Sequence, residues 1–242
     1  MKANPLFLDY RSLFLHKLMG KDPNSPMTKY LKALFGVFIA FVVWSAINPL
    51  SNGNWFLEML PVFIALPVLF YLGRRFKISN LSFTLIFFYL LMLVMQAHYG
   101  VGYVPIGAKL APWFGTDRNV FDRITHFFSG LLWFYPIYEM TKQSIGNRDF
   151  LIYMIPSAII MGLGAVYEIA EWLAFEFLNY QLSYLFVGAQ DDFYDPPKDM
   201  AMALLGVIVA LIVIIISNKF FLKKILPLQQ DLKSDFTFEQ GQ

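Results

Sequence analysis

The chain has 242 residues, 57% of them apolar and only 15% charged. Soluble domains lie nearer half apolar and a quarter charged, so this composition excludes an ordinary soluble fold. The net charge of +2 argues against a nucleic-acid partner, and the lack of cysteine excludes disulfides, thiolate metal ligands and a cysteine nucleophile. About 20 residues cross the ~30 Å hydrocarbon layer as a helix, so the length suits about six spans with short loops.

Residues 5–19 read as an amphipathic segment, with Phe7, Tyr10, Phe14 and Leu18 at helical steps and Arg11 and Lys17 elsewhere. That pattern suits a helix lying in the membrane interface and equally a short terminal helix. Basic residues from Lys2 to Lys29, with Asp9 and Lys17 breaking any apolar run, do not read as a secretory signal. Lys21 to Pro26 reads as a linker, because two prolines and two small polar residues cannot continue a helix.

Six spans are expected, at roughly 30–48, 55–73, 79–98, 120–141, 150–178 and 199–218. The chain thus divides into an amino-terminal segment and linker (1–29), a six-span domain (30–218) and a basic, polar tail (219–242). Pro61 and Pro67 fall inside the second span, which membrane helices tolerate. Two sizeable loops, 99–119 and 179–198, separate the third from the fourth span and the fifth from the sixth.

Orientation follows from the basic residues. With the Arg74-Arg75-Lys77 loop in the cytoplasm, both termini are cytoplasmic too, and only Lys109, Arg118, Arg123 and Lys198 of the 19 basic residues fall outside. The same topology puts both long loops outside, together with the start of the fourth span, the end of the fifth and the start of the sixth.

The unusual polar residues lie at those three ends. Asp122 and His126 are four apart and share one helix face, a spacing that suits one metal ion or one transferred proton. The plainer reading is that Asp122 caps the helix and His126 bonds a neighbouring helix. Glu168 and Glu171 are three apart, again on one face. A carboxylate at membrane depth costs about 2–3 kcal/mol or more unless paired, so such a pair reads by default as functional. Its structural alternative is an ion pair with Arg123 or Lys198. Gly162 and Gly164 would admit a close neighbouring helix, while Tyr167 and Trp172 read as packing and interface anchors.

The second loop carries Gln190, Asp191, Asp192, Asp195 and Asp199. Asp195 fits a helix N-cap followed by Pro196, and Asp199 would then sit where the helix dipole favours an anion. Asp192 has no such local account. His126 with Glu168, Glu171, Asp192, Asp195 and Asp199 is a ligand set for a hard or borderline divalent cation, Mg²⁺, Mn²⁺, Ca²⁺ or Zn²⁺. His98 ends the third span and reads as a polar anchor that the site could also recruit. Glu139 lies about 20 Å of helix from His126 and cannot join it.

At these motifs the chain resembles the YjdF-type family of bacterial inner-membrane proteins, a domain of unknown function. The likeness is carried by Asn119, Asp122, Arg123, His126, Phe127 and Gly130, by Tyr167, Glu168, Glu171 and Trp172, and by Gly188, Gln190, Asp192, Asp195, Asp199 and Met200. It covers about residues 31–218, with Pro105 and Gly107 also fitting. The amino-terminal extension and the Pro196-Pro197 pair depart from the pattern without removing a motif position. The resemblance implies a multi-pass bacterial inner-membrane protein, with Arg123, Gln190 and Tyr167 supporting the site, and it implies no reaction. A looser similarity to VanZ-like proteins would suggest envelope glycopeptide or lipid biology, by analogy.

Three readings follow. One is a metal-dependent enzyme at the outer leaflet, acting on a lipid or envelope precursor through Asp122, His126, Glu168 and Glu171. The second is a small transporter or a proton- or cation-binding protein. The third is a non-catalytic envelope protein whose polar cluster holds helices together. The lipid bilayer is the one partner the sequence requires; it does not set an oligomeric state.

Overall fold

The computed structural model describes residues 29–146, 150–188, 190 and 192–239, with side chains through residue 220. The amphipathic segment and linker expected before residue 29, His16, the end of the 142–149 loop, Asp191 and the side chains of the tail lie outside the described residues. Eight α-helices are described: α1 Lys29–Ser45, α2 Asn52–Arg75, α3 Asn80–Tyr99, α4 Pro105–Leu110, α5 Phe121–Ile145, α6 Leu151–Phe177, α7 Tyr180–Val187 and α8 Asp195–Glu239. There is no strand among the described residues. Side-chain caps start several helices: Ser51, Ser79 and Asn179 each accept from a backbone N–H of the first turn of α2, α3 and α7.

By length and composition, four segments suit a membrane crossing: Asn52–Arg75, Asn80–Tyr99, Leu151–Phe177 and Asp195–Phe220. α1 has 17 residues, and α5 is diluted by charged and polar residues such as Asp122, Arg123, Thr125, His126, Ser129 and Glu139, so neither is among them. The expected all-α membrane bundle is present, with four apolar spans where the sequence reading counts six. Its outward surface is apolar: Leu163 and Val166 of α6 are each 63% exposed, a surface that calls for hydrocarbon rather than water. The two long loops are partly helical, holding α4, two 3₁₀ turns and α7.

The interior has two apolar clusters. Phe38, Met59, Val62, Ile86, Leu90 and Val94 knit α1, α2 and α3, while Phe134, Ile137, Ile160, Val207, Ala210 and Ile214 knit α5, α6 and α8. Trp133 packs against both clusters, and its ring lies 6.0 Å from that of Tyr89 on α3.

α5 and α8 form the tightest pair, and glycine is the reason. A Cβ added at Gly130 would come within 2.7 Å of the Val207 nitrogen, and one at Gly206 within 2.9 Å of the Leu131 nitrogen. The two backbones meet where both residues lack a side chain, which draws the start of α5 toward the start of α8. The approach expected at Gly162 and Gly164 is narrower: Gly164 faces the Met200 sulfur on α8, and Gly162 faces open space. The two residues are two apart on a helix and so point about 200° apart, which is why only one can meet a neighbour.

The bundle has chemically distinct ends. Lys77 donates its backbone N–H to Gln143 Oε1 at 2.9 Å, and Glu139 Oε2 accepts from the Ser79 N–H and the Ser82 hydroxyl at 3.0 and 2.7 Å. The basic Arg74–Lys77 segment therefore sits at the carboxyl end of α5, and Asp122 opens the other end. Glu139, as expected, belongs to the basic end.

Candidate functional site

Three helix ends supply the site. Asp122 and His126 lie on the first two turns of α5, Glu168 and Glu171 on the carboxyl-terminal half of α6, and Asp195 and Asp199 on the first two turns of α8. All six are buried, the three aspartates to 3% exposure or less. Carboxylate oxygens of Asp122, Asp195 and Asp199 lie within 4.8 Å of one another, close enough for one ion to be shared. His126 Nε2 stands 3.7 Å from Asp122 Oδ1 and 3.3 Å from Glu168 Oε1. Glu171 sits behind, near enough to Asp122, Glu168 and Asp199 to feel their charge. The Tyr167 ring lies 6.0 Å from the His126 ring.

Asp122 makes no helix cap. Val120 is the cap residue and offers no side-chain bond; Asn119 before it steadies the entry, its Oδ1 accepting the Phe121 N–H at 3.0 Å and its Nδ2 donating to the Val104 carbonyl. Asp122 is thereby free to point into the bundle. Asp195, expected at the N-cap, is already within the first turn of α8, and its N–H donates to the Asp192 carbonyl.

A layer of ion pairs closes the cluster toward the loops. Arg118 pairs with Asp195, reaches Asp192 at 3.4 Å and Asp122 at 3.9 Å. Arg123 meets Asp192 at 2.5 Å, Asp195 at 3.4 Å and Asp199 at 3.9 Å. Lys198 Nζ bonds Asp192 at 2.6 Å. Asp192 is thus held among three cations and lies outside the aspartate triad. Its carboxyl is kept below the usual carboxylate range by the Lys198 hydrogen bond, helped by Arg123 and the Tyr194 N–H. Burial works against the charge of Arg118, but the hydrogen bond and charge of Asp195 outweigh it and raise the guanidinium above its ordinary value.

The counter-ions expected for the glutamates are committed elsewhere. Arg123 and Lys198 pair with aspartates, and His126 is the polar partner of Glu168. The Nε atoms of Arg118 and Arg123 are buried and donate to no acceptor, as Asp199 Oδ1 and Glu168 Oε1 are buried without a hydrogen bond. Gln190 laces the loop to α5: its Oε1 accepts the Asn119 N–H at 2.9 Å and its Nε2 donates to the Asn119 carbonyl at 3.1 Å. It does so at φ +48°, a conformation that a non-glycine residue holds only when its partners fix it. His98 is a polar anchor, bonding the Ser45 carbonyl at 3.1 Å with the Trp44 ring tilted against it 4.3 Å away.

Two participants escape a sequence reading. Arg118 sits in an irregular loop whose path over the triad is a tertiary fact. Glu58 was visible in principle, as the one acid in the 24-residue apolar helix α2; it is 1% exposed and close to Tyr167, Glu171 and Asp122.

Residues 30–219 match the family described as "Predicted membrane protein (DUF2238)". The chain belongs to that family. Among the relatives of this DUF2238 chain is the inner membrane protein YjdF of Escherichia coli strain K12, 29% identical over 173 residues, which cover 71% of this chain and 82% of the relative. No solved structure matches it. The family match includes every residue of the site and the whole of α2, α3, α5 and α6, and the chain is a multi-pass protein of the inner membrane. The DUF2238 description names no reaction, so the chemistry has to come from the site.

Proposed function

We propose that this DUF2238 protein is a divalent-cation-dependent membrane enzyme that acts on a phosphate-bearing lipid or envelope precursor. The observation that carries the reading is the convergence of Asp122, Asp195 and Asp199, from two helices, on one buried point. Around it, Asp192, Glu168 and Glu171 add negative charge that Arg118, Arg123 and Lys198 do not balance. Like charges so close in a membrane-embedded bundle call for a bound cation or for protons. Three carboxylates beside an imidazole suit Mg²⁺, Mn²⁺, Ca²⁺ or Zn²⁺.

On this reading Asp122, Asp195 and Asp199 hold the cation. When bound, it polarises a phosphoryl oxygen and neutralises charge that develops there. Arg118 and Arg123, with Nε groups that still lack an acceptor, receive further phosphate oxygens in their planar forks. His126, set by Glu168, takes the proton of an attacking water or hydroxyl, with Glu168 stabilising the imidazolium. Gln190 and the Arg118–Asp195 pair keep the loop closed over the site. The excess of basic residues at the opposite end supports an outward orientation of this face.

A second reading has its own observation. Arg118 and Arg123 between them already reach all three aspartates, so the cluster can also serve as an ion-pair lock joining α5, α8 and the loop. Purified protein in nanodiscs separates the two. Release of phosphate from a lipid phosphomonoester that requires Mg²⁺ or Mn²⁺ and is lost in Asp199→Asn supports the enzyme. Full stability without any divalent cation, no turnover, and a large loss of stability in Arg118→Gln support the lock.

A further inference from the structure

Beneath the aspartate triad lies a second polar layer that the proposed chemistry does not use. Asn54 and Glu58 are four apart on α2, so they share one face, and they are 0% and 1% exposed. Gln96 of α3 is 2% exposed. Both side-chain atoms of Asn54 and Gln96 Oε1 are buried without a hydrogen-bond partner, and the buried Glu58 carboxylate has the Tyr167 hydroxyl as its hydrogen-bonding neighbour. Their common level follows from helix geometry. Asn54 Nδ2 lies 3.8 Å from where a Cβ on Gly100 would stand. α2 and α3 run antiparallel from that point, so one turn along each, about 6 Å at 1.5 Å per residue, brings Glu58 level with Gln96. The Tyr167 hydroxyl of α6 faces Glu58, and Tyr89 of α3 is also close enough to feel its charge. Among the described residues no lysine, arginine or histidine forms an ion pair with Glu58, and its charged neighbours, Asp122 and Glu171, are acids.

Orphaned buried polar atoms are costly, and several on two facing helices call for a common ligand. Each oxygen here is hard: one carboxylate and two carboxamide carbonyls, with tyrosine hydroxyls beside them. A single carboxylate neutralises one positive charge, whereas the triad above is built for two. We infer that Asn54, Glu58 and Gln96 form a second cation site, for a monovalent alkali ion of the sodium class, seated between α2 and α3. This site lies on α2 and α3 beneath the triad, with Glu58 close enough to Asp122 to feel its charge, and it does not depend on the reading of the triad as catalytic.

The test uses the full-length protein in nanodiscs at constant ionic strength, with choline replacing sodium. Binding of ²²Na⁺ is measured by scintillation proximity and melting is followed by tryptophan fluorescence, in wild type, Glu58→Gln and Asp199→Asn. Glu58→Gln keeps the shape of the side chain and removes its charge. The site predicts saturable sodium binding and a sodium-dependent rise in Tm, both lost in Glu58→Gln and both kept in Asp199→Asn. Should Glu58→Gln fold poorly, Gln96→Leu gives the same readout from the other helix, with sodium affinity reduced at least tenfold. Sodium binding that is absent in wild type, or unchanged in both variants, overturns the proposal and leaves the layer to buried water. Binding lost in Asp199→Asn alone assigns the sodium to the triad and overturns it equally.

Discussion

Glu168 Oε1 stands 3.3 Å from His126 Nε2, across the gap between α6 and α5, with both side chains buried. This contact brings two separately readable motifs together, a carboxylate placed beside an imidazole. Orienting partners of this kind are typically worth about 10–100-fold in activity or metal affinity, and a general base about 10²–10⁴-fold. Glu168→Gln is expected to lower turnover of a lipid phosphomonoester by roughly 10–100-fold, and His126→Ala by more, with Tm nearly unchanged for the isosteric glutamine. Equal activity in the two variants and wild type would remove the pair from the chemistry.

Arg118 carries a test of the phosphate assignment. Removing one charge-assisted hydrogen-bond donor costs about 1.5–3 kcal/mol, or ten- to a hundredfold in affinity. Arg118→Gln should therefore weaken inhibition by inorganic phosphate by about tenfold or more, while Lys109→Gln, a change at an exposed loop cation, should not move it. Inhibition constants measured at fixed Mg²⁺ decide this.

The close crossing of Gly130 and Gly206 predicts a structural route to loss of the site. A side chain at either position meets backbone on the partner helix. Overpacking costs about 1–3 kcal/mol even where side chains can yield, and backbone yields less. Gly130→Leu should lower Tm and divalent affinity together, whereas Gly162→Leu, which faces open space, should change neither. Thermal unfolding in detergent and cation titration on the same samples provide the measurement.

Asp192 predicts how the loop responds to acid. Its carboxyl is held below the ordinary carboxylate value by the Lys198 hydrogen bond first and by Arg123. A depressed value means that stabilisation is complete above the unfolded pKa, about 4, and is lost only as pH falls toward the lower folded one. The Tyr194 amide, which donates to Asp192 Oδ1 at 3.0 Å, should keep its exchange protection down to about pH 4 and lose it below. In Asp192→Asn the protection should be weak at every pH. Hydrogen exchange by mass spectrometry reads both.

Much of this arrangement is legible along the chain. Long apolar runs mark α2, α3, α6 and α8, because hydrocarbon leaves few alternatives to a helix. The pairs Asp122–His126, Glu168–Glu171 and Asp195–Asp199 are readable because helical spacing fixes which residues share a face. What is not legible is which helix meets which. Gly164, and not Gly162, has a neighbour because only its face turns to α8. Arg118 reaches three aspartates only because the loop folds back over α5. Glu58 gains its surroundings from α3 and α6, far from it in sequence. The helices within the two loops, α4 and α7, are short and take their order from packing rather than from a long periodic run.

The proposed chemistry depends on a cation held by the aspartate triad. Titration of Mn²⁺ into purified protein in nanodiscs, followed by electron paramagnetic resonance, tests it most directly. One saturable site is expected in wild type, lost in Asp199→Asn and in Asp122→Asn, and kept in Asp192→Asn, since Asp192 is committed to Arg118, Arg123 and Lys198. No saturable Mn²⁺ binding in wild type, or binding that survives both triad substitutions, would contradict it.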